Sequence, residues 1–211
     1  MAKIQGSKCK LCRRAGEKLF LKGERCASPK CALVRKSYPP GVHGKSGGVK
    51  GLSEFGKQLK EKQKLKRIYG ISERQLRRYL EIARKKRGVL GDNLLTVLEN
   101  RLDNIVYRLG MADSRTQARQ LVSHSLFQVN GRPLNIPSAL LKIGDVVAVK
   151  DTKKEKKYFK ELQAVLKKDL PKISWLDFNP EKMEGKVVAN PNKDEIGFKV
   201  DMAMVIEFYS R

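Results

Sequence analysis

Cys9 and Cys12 form a Cys-x2-Cys pair, Cys26 and Cys31 a Cys-x4-Cys pair, and the chain has no other cysteine. Each pair brings two thiols near one point. Two such knuckles can build the tetrahedral four-sulfur cage that Zn2+ takes in closed structural sites. Lys8, Lys10, Arg13, Arg14, Arg25 and Lys30 surround the four; their charge is expected to lower the thiol pKa and to offset the double negative charge of a Zn(Cys)4 centre. Structural Zn2+ is the favoured reading. An iron–sulfur cluster takes the same ligands and stays open as the alternative, as does a set of free structural thiols. Disulfides are disfavoured in a reducing compartment, and redox chemistry at Cys9-x-x-Cys12 lacks the strand–helix setting it needs.

The second chemistry is electrostatic. Residues 1–90 carry 26 Lys and Arg against 6 Asp and Glu, and the remaining 121 residues carry 20 against 16. A domain that basic repels itself unless a polyanion neutralises it, and nucleic acid supplies both the charge and the counterion release that drives binding. A membrane-surface protein would place Trp, Phe and Leu along one helix face, but this half has no Trp and only Phe20 and Phe55. No apolar run approaches a membrane span, and the start Met1-Ala2-Lys3-Ile4-Gln5 lacks a secretory signal, so a cytoplasmic protein with no membrane partner is expected.

These groups must be positioned by recognisable elements. Residues 37–52 are rich in glycine and proline and read as an extended loop whose backbone N–H groups, with Lys45, can lie along phosphates. Ser53 caps a helix ending at Gly70, with Lys57, Lys62, Lys64 and Arg67 between its apolar positions. Ser72 and Gln75 match a capping box opening a second basic helix with Arg74 and Arg78. Asp92 is expected to cap a third helix carrying Leu94, Leu95, Leu98 and Leu102. From about residue 99 the pattern changes to two short helices and then strands. Ser114 and Gln117 open the second of these helices, which buries Ala118, Leu121 and Val122 and exposes Arg115, Thr116, Arg119 and Gln120. Asn130-Gly131 is a type I′ hairpin signal, with Asn130 and Arg132 as an alternative RNA surface, and Val146–Val149 reads as a strand. Residues 150–160 read as solvated, and the last forty give no secure topology beyond an apolar Val200–Tyr209.

The stretches Tyr38–Gly44, Gly56–Gly70, Asn93–Leu95, Arg101–Gly110, Ala118–Val122, Val129–Gly131 and Ile206–Arg211 together resemble the bacterial small-subunit ribosomal protein four family, over nearly the whole chain. The resemblance implies a primary binder of small-subunit ribosomal RNA that helps nucleate assembly of the subunit body, contacts small-subunit ribosomal protein five, lies near the messenger RNA entry path and influences translational accuracy. It adds Arg101, Asn104, Tyr107 and Arg108 as RNA contacts, and within its matched stretches Tyr38, Gly41, His43, Gly44, Gln58, Gln63 and Tyr69, with His124. The residues after His124 are Ser125-Leu126 where the family commonly has Gly-His, so no contact of that second histidine transfers. Four cysteines occur in only part of the family, so metal binding rests on the spacing.

The expected fold class is α+β: a metal knuckle over 1–36, the loop 37–52, a basic helical domain 53–98, an inserted RNA-binding module 99–163, and a segment 164–211 returning to the helical domain. An RNA-modifying enzyme or RNA-binding stress protein with the same module is the runner-up. Once knuckles, helices and module are assigned, about fifty residues remain, with no His, Cys or phosphate loop, so neither enzyme activity nor a small-molecule substrate is expected.

Overall fold

The structure, a computed structural model, describes residues 6–46, 51–167, 173–192 and 195–210. It divides into two compact units, Met1–Leu94 with Phe198–Arg211, and Leu95–Gly197.

The first unit is helical. α1 (Lys8–Ala15), α2 (Glu24–Ala27) and α3 (Ala32–Arg35) are short helices around the cysteines, and a 3-10 turn occupies Val42–Gly44. α4 (Glu54–Tyr69) starts where Ser53 Oγ accepts from the Gly56 N–H and stops where Gly70 turns left-handed at φ 64°. α5 (Glu73–Arg84) opens on the complete capping box of Ser72 and Gln75. Its apolar stripe of Leu76, Tyr79, Leu80 and Ala83 is buried, so the arginines between them face outward. Leu65, Leu76, Ala83 and Val205 lose all solvent contact in this unit's core. The C-terminal helix, Met202–Phe208 (α11 in chain order), is capped by Asp201 and packs on α4, with Phe55 and Phe208 rings 5.5 Å apart.

α6 (Leu90–Glu99) carries the chain into the second unit, followed by α7 (Leu102–Arg108) and α8 (Arg115–Ser123). α7 and α8 share a core with an antiparallel sheet of β1 (Phe127–Val129), β2 (Arg132–Pro133), β3 (Val146–Val149), β4 (Leu176–Asn179) and β5 (Glu184–Val187), in the order β2-β1-β3-β5-β4. Asn130 at φ 49° and Gly131 at φ 76° make the β1–β2 turn with both central residues left-handed, as a type I′ hairpin requires. Asn130 also ties this turn to β3, because its Oδ1 accepts from the Val146 N–H at 2.9 Å. Leu109 lies so close to Gly185 that a Cβ there would overlap its side chain, which is how β5 approaches the end of α7. α9 (Asp151–Lys154) and α10 (Lys157–Leu166) follow β3.

Four expectations about the elements and the burial of site residues are corrected. Asp92 lies inside the first turn of α6 rather than before it, and that helix stops at Glu99, so Leu102 belongs to a separate α7 with Arg101 at its N-cap. Residues 150–160 are not uniformly solvated: Phe159 is buried and Tyr158 donates to the Met111 carbonyl at 3.0 Å. Burial pushes the Tyr158 phenol up to about 12, helped by the charge of Asp113. Third, β4 and β5 extend the module's own sheet through β3–β5 pairing, so of residues 164–211 only those from Phe198 onward rejoin the helical unit. The fourth concerns the site residues themselves, several of which are interior.

Candidate nucleic-acid interface and cysteine pocket

At the start of the second unit two buried carboxylates each gather arginines. Glu99 Oε2 accepts from Asn104 Nδ2 and Arg108 Nε, both at 2.8 Å, while Oε1 accepts from Arg108 Nη2 at 3.0 Å and stands 3.8 Å from Arg115 Nη2. Asp103 accepts from Arg101 through both oxygens and lies 3.5 Å from Arg119 Nη1. Asn104 Oδ1 accepts from Arg115 Nε at 2.7 Å, and the Arg115 guanidinium sits 4.6 Å from the centre of the Tyr107 ring. Burial of such charges is tolerable only with this degree of pairing. Four guanidiniums share two carboxylates, so the cluster keeps excess positive charge. Its outer edge is formed by Arg108, Arg115 and Arg119, with 14%, 13% and 17% of their side-chain surface exposed.

Arg101 and Asn104, which the family resemblance marked as RNA contacts, are buried in this cluster and present no surface. Their roles are internal: Arg101 pairs with Asp103, and Asn104 joins Glu99 to Arg115. Thr116 is half-buried beside exposed Gln120 and His124, on the same side of α8 as Arg119. Asn130 and Arg132 are exposed at the hairpin.

Sorting by burial also divides the basic helices. Lys62 Nζ donates to Glu73 Oε1 at 3.1 Å and lies 4.2 Å from the centre of the Phe208 ring, while Lys64 donates to Glu17 at 2.8 Å. Gln58, Lys62, Lys64 and Tyr69 are all buried, so these four candidates are corrected to interior positions. Distant parts of the chain supply the cover: Phe208 of α11 lies over Lys62, Glu17 meets Lys64, and the Phe198 ring meets Tyr69 edge-on. Lys57 stays exposed and pairs with Glu54; Gln63 and Arg67 are half-buried. Burial, then the charge of Arg14, pull the Arg67 pKa down. Arg74 and Arg78 are exposed on α5, joined there by Arg77 and Arg84, which line an open hollow with Phe208 and Tyr209. The hollow was not legible in the sequence, because its aromatic wall arrives from the far end of the chain.

The glycine-rich loop is described up to Ser46, and residues 47–50 of the expected phosphate-lying segment fall outside the described residues. Arg13 Nε and Nη2 donate to the Tyr38 and Pro39 carbonyls at 2.9 and 3.1 Å, and the Arg13 guanidinium sits 4.7 Å from the Tyr38 ring centre. Gly41 and His43 are exposed, as is Lys45, whose ammonium is 5.6 Å from the same ring. Gly44 lies against the Pro39 carbonyl so closely that only glycine fits.

Cys9, Cys12, Cys26 and Cys31 line one small pocket, with Lys8, Lys22 and Arg25 among its other walls. Cys9 and Cys12 come from α1, Cys26 from α2, and Cys31 precedes α3. The Lys22 N–H donates to Cys26 Sγ at 3.3 Å and the Leu19 N–H to the Cys12 sulfur. Backbone donors to sulfur are the outer support that a thiolate centre uses. The donor set therefore suits zinc or an iron–sulfur cluster. Even so, no three His, Cys, Asp or Glu side chains among the described residues are arranged to hold a metal ion. The expected lowering of thiol pKa is also corrected at Cys12, where burial pushes the thiol up and the charges of the other three cysteines add to it.

Comparison with known proteins bears on both units. Residues 3–99 match the family described as the ribosomal protein S4/S9 N-terminal domain, and residues 100–147 match the S4 domain. Small ribosomal subunit protein uS4 of Halothermothrix orenii is 53% identical over 211 residues, with both chains covered completely. The protein of the same name from Caldicellulosiruptor bescii is 52% identical over 212 residues, and uS4A of Symbiobacterium thermophilum is 51% identical over 211, again with complete coverage of both chains. Similarity of this extent runs through the helical unit and the sheet-bearing unit alike: the chain belongs to the small ribosomal subunit protein uS4 family.

Proposed function

We infer that this chain is a structural constituent of the small ribosomal subunit that binds its RNA and is not an enzyme. End-to-end similarity to small ribosomal subunit proteins carries this reading. The basic α5 face and the arginine cluster supply its physical means. Its location is then the cytoplasmic small subunit. We further propose that it is a primary rRNA binder that nucleates assembly of the subunit body, contacts small-subunit ribosomal protein five, approaches messenger RNA near its entry path and influences decoding accuracy. The RNA-facing residues in this reading are Tyr107, Arg108, Arg115, Thr116, Arg119, Gln120 and His124, the hairpin residues Asn130 and Arg132, the helical Lys57, Gln63, Arg67, Arg74 and Arg78, and the loop residues Tyr38, Gly41, His43, Gly44 and Lys45. Sedimentation through a high-salt gradient tests it: the tagged protein is expected to travel with small subunits, and complete release into the free fraction would contradict it.

For the cysteines we propose a closed structural Zn2+ site of the four thiolates, with an iron–sulfur cluster as the alternative. Support comes from their paired spacing and their convergence on one pocket with backbone N–H donors to sulfur. Zn2+ there would cross-link α1, α2 and the start of α3. Protein purified without oxygen is expected to hold about one equivalent of zinc. Four titratable thiols with no metal would contradict the proposal, and a brown, iron-bearing protein would select the cluster.

A further inference from the structure

We propose that Glu99 and Asp103, two acids in a protein that binds a polyanion, are RNA-binding determinants: they are positioning residues that hold Arg108, Arg115 and Arg119 as one fixed array for an irregular, non-duplex stretch of small-subunit RNA. The proposal rests on the RNA-binding function inferred above.

Near a phosphate backbone a carboxylate ordinarily repels, so two of them at an RNA surface call for a physical reason. Glu99 is fully buried and Asp103 nearly so, and each engages more than one guanidinium. A guanidinium is planar with five donors, so a carboxylate satisfying one edge leaves the remaining donors directed elsewhere. A long arginine side chain standing in solvent loses rotamer freedom whenever it grips a phosphate. Arg108, Arg115 and Arg119 have given up that freedom already. Glu99 takes Arg108 by two hydrogen bonds, and Arg115 is pinned by Asn104 at 2.7 Å with Tyr107 behind its plane. Asp103 is itself anchored by buried Arg101 and so offers Arg119 a fixed partner.

A fixed array selects a ligand differently from a flexible one. Mobile lysines follow any phosphate path, whereas guanidiniums held at set separations fit only a backbone whose phosphates fall at matching places. Unpaired or sharply bent RNA offers such places and a regular A-form duplex does not. Glu99 and Asp103 thus contribute specificity although their charge opposes bulk attraction.

The two contributions have opposite signs, which makes the test direct. The full chain carrying Glu99→Gln or Asp103→Asn is titrated against small-subunit rRNA and, in parallel, against heparin, with thermal melts to confirm folding. Bulk electrostatics alone makes both variants bind both polyanions more tightly. The expected result is about a tenfold loss on rRNA, the scale of one good bidentate contact, with heparin binding unchanged or tighter. Unchanged or tighter rRNA binding, or equal losses on rRNA and heparin, overturns the proposal. If either variant fails to fold, Arg108→Lys with Arg119→Lys decides, because it keeps the charge and removes the fork: a comparable rRNA-specific loss is expected, and wild-type affinity overturns the proposal. Should the unmodified protein itself prefer rRNA no more than heparin, the inferred function fails instead, and the two failures are told apart.

Discussion

Whether a cationic side chain meets RNA or holds the fold is decided here by burial. Lys62 and Lys64 sit among acidic partners, and Arg101 is sealed against Asp103, whereas Arg119 keeps an outer edge. Arg119→Ala is therefore expected to weaken specific rRNA binding by about 1–3 kcal/mol, measured by filter binding. Its cost in stability is expected to be small, because Asp103 retains Arg101. Glu73, with a third of its side chain exposed, also serves the fold. Burial alone would raise its pKa, but hydrogen bonds from Tyr209, Lys66 and Lys62, with the charge of Lys62, hold it at about 2, below the ordinary 4.5. A carboxylate with a depressed folded pKa stabilises the fold above its unfolded value, and that contribution is lost as pH falls through the folded one. Urea midpoints measured from neutral pH downward are thus expected to show wild type losing more stability between about pH 4.5 and 2 than Glu73→Gln does. Parallel curves for the two proteins would contradict the role given to Glu73.

Elements announced by local chemistry were legible in the sequence. Ser53 and Gly70 mark the two ends of α4 and the Ser72–Gln75 box the start of α5 where the structure has them, and Asn130-Gly131 marks the hairpin. Elements defined by distant partners were not. β4 and β5 are four residues each and become strands by pairing with one another, β5 also with β3. The lysines between Lys150 and Lys160 hid Phe159, whose ring meets Phe127 edge-on at 6.2 Å. Phe159→Ala, which opens a cavity beneath β1, is expected to destabilise the sheet-bearing unit by about 3–5 kcal/mol in chemical denaturation. A loss under about 1 kcal/mol would mean that α10 is a surface appendage. The candidate site shows the same division. Basic stretches identify the surface, but which lysines α11 covers depends on a contact between residues more than a hundred positions apart, as in the Tyr209–Glu73 hydrogen bond.

For the molecule as a whole, the concentration of charge in residues 1–90 makes binding a salt-dependent event, and burial withdraws Lys62 and Lys64 of α4 from it while leaving the arginines of α5 and Lys57 exposed. Neutralising exposed Arg74, Arg77, Arg78 and Arg84 should flatten the log–log salt slope by roughly 0.7 for each phosphate that the helix then leaves unneutralised. Neutralising Lys153, Lys154, Lys156 and Lys157 should change it less; equal changes would mean the charge is not deployed on α5. In the proposed function the chain is a specific binder of small-subunit rRNA, working through an exposed basic helix and a held arginine cluster. Hydroxyl-radical footprinting of the full-length rRNA with the purified protein tests it most directly. Protection of one compact set of nucleotides is expected that survives excess competitor RNA and that Arg119→Ala reaches only at higher protein concentration. Diffuse protection that competitor RNA removes, in wild type and variant alike, would contradict it.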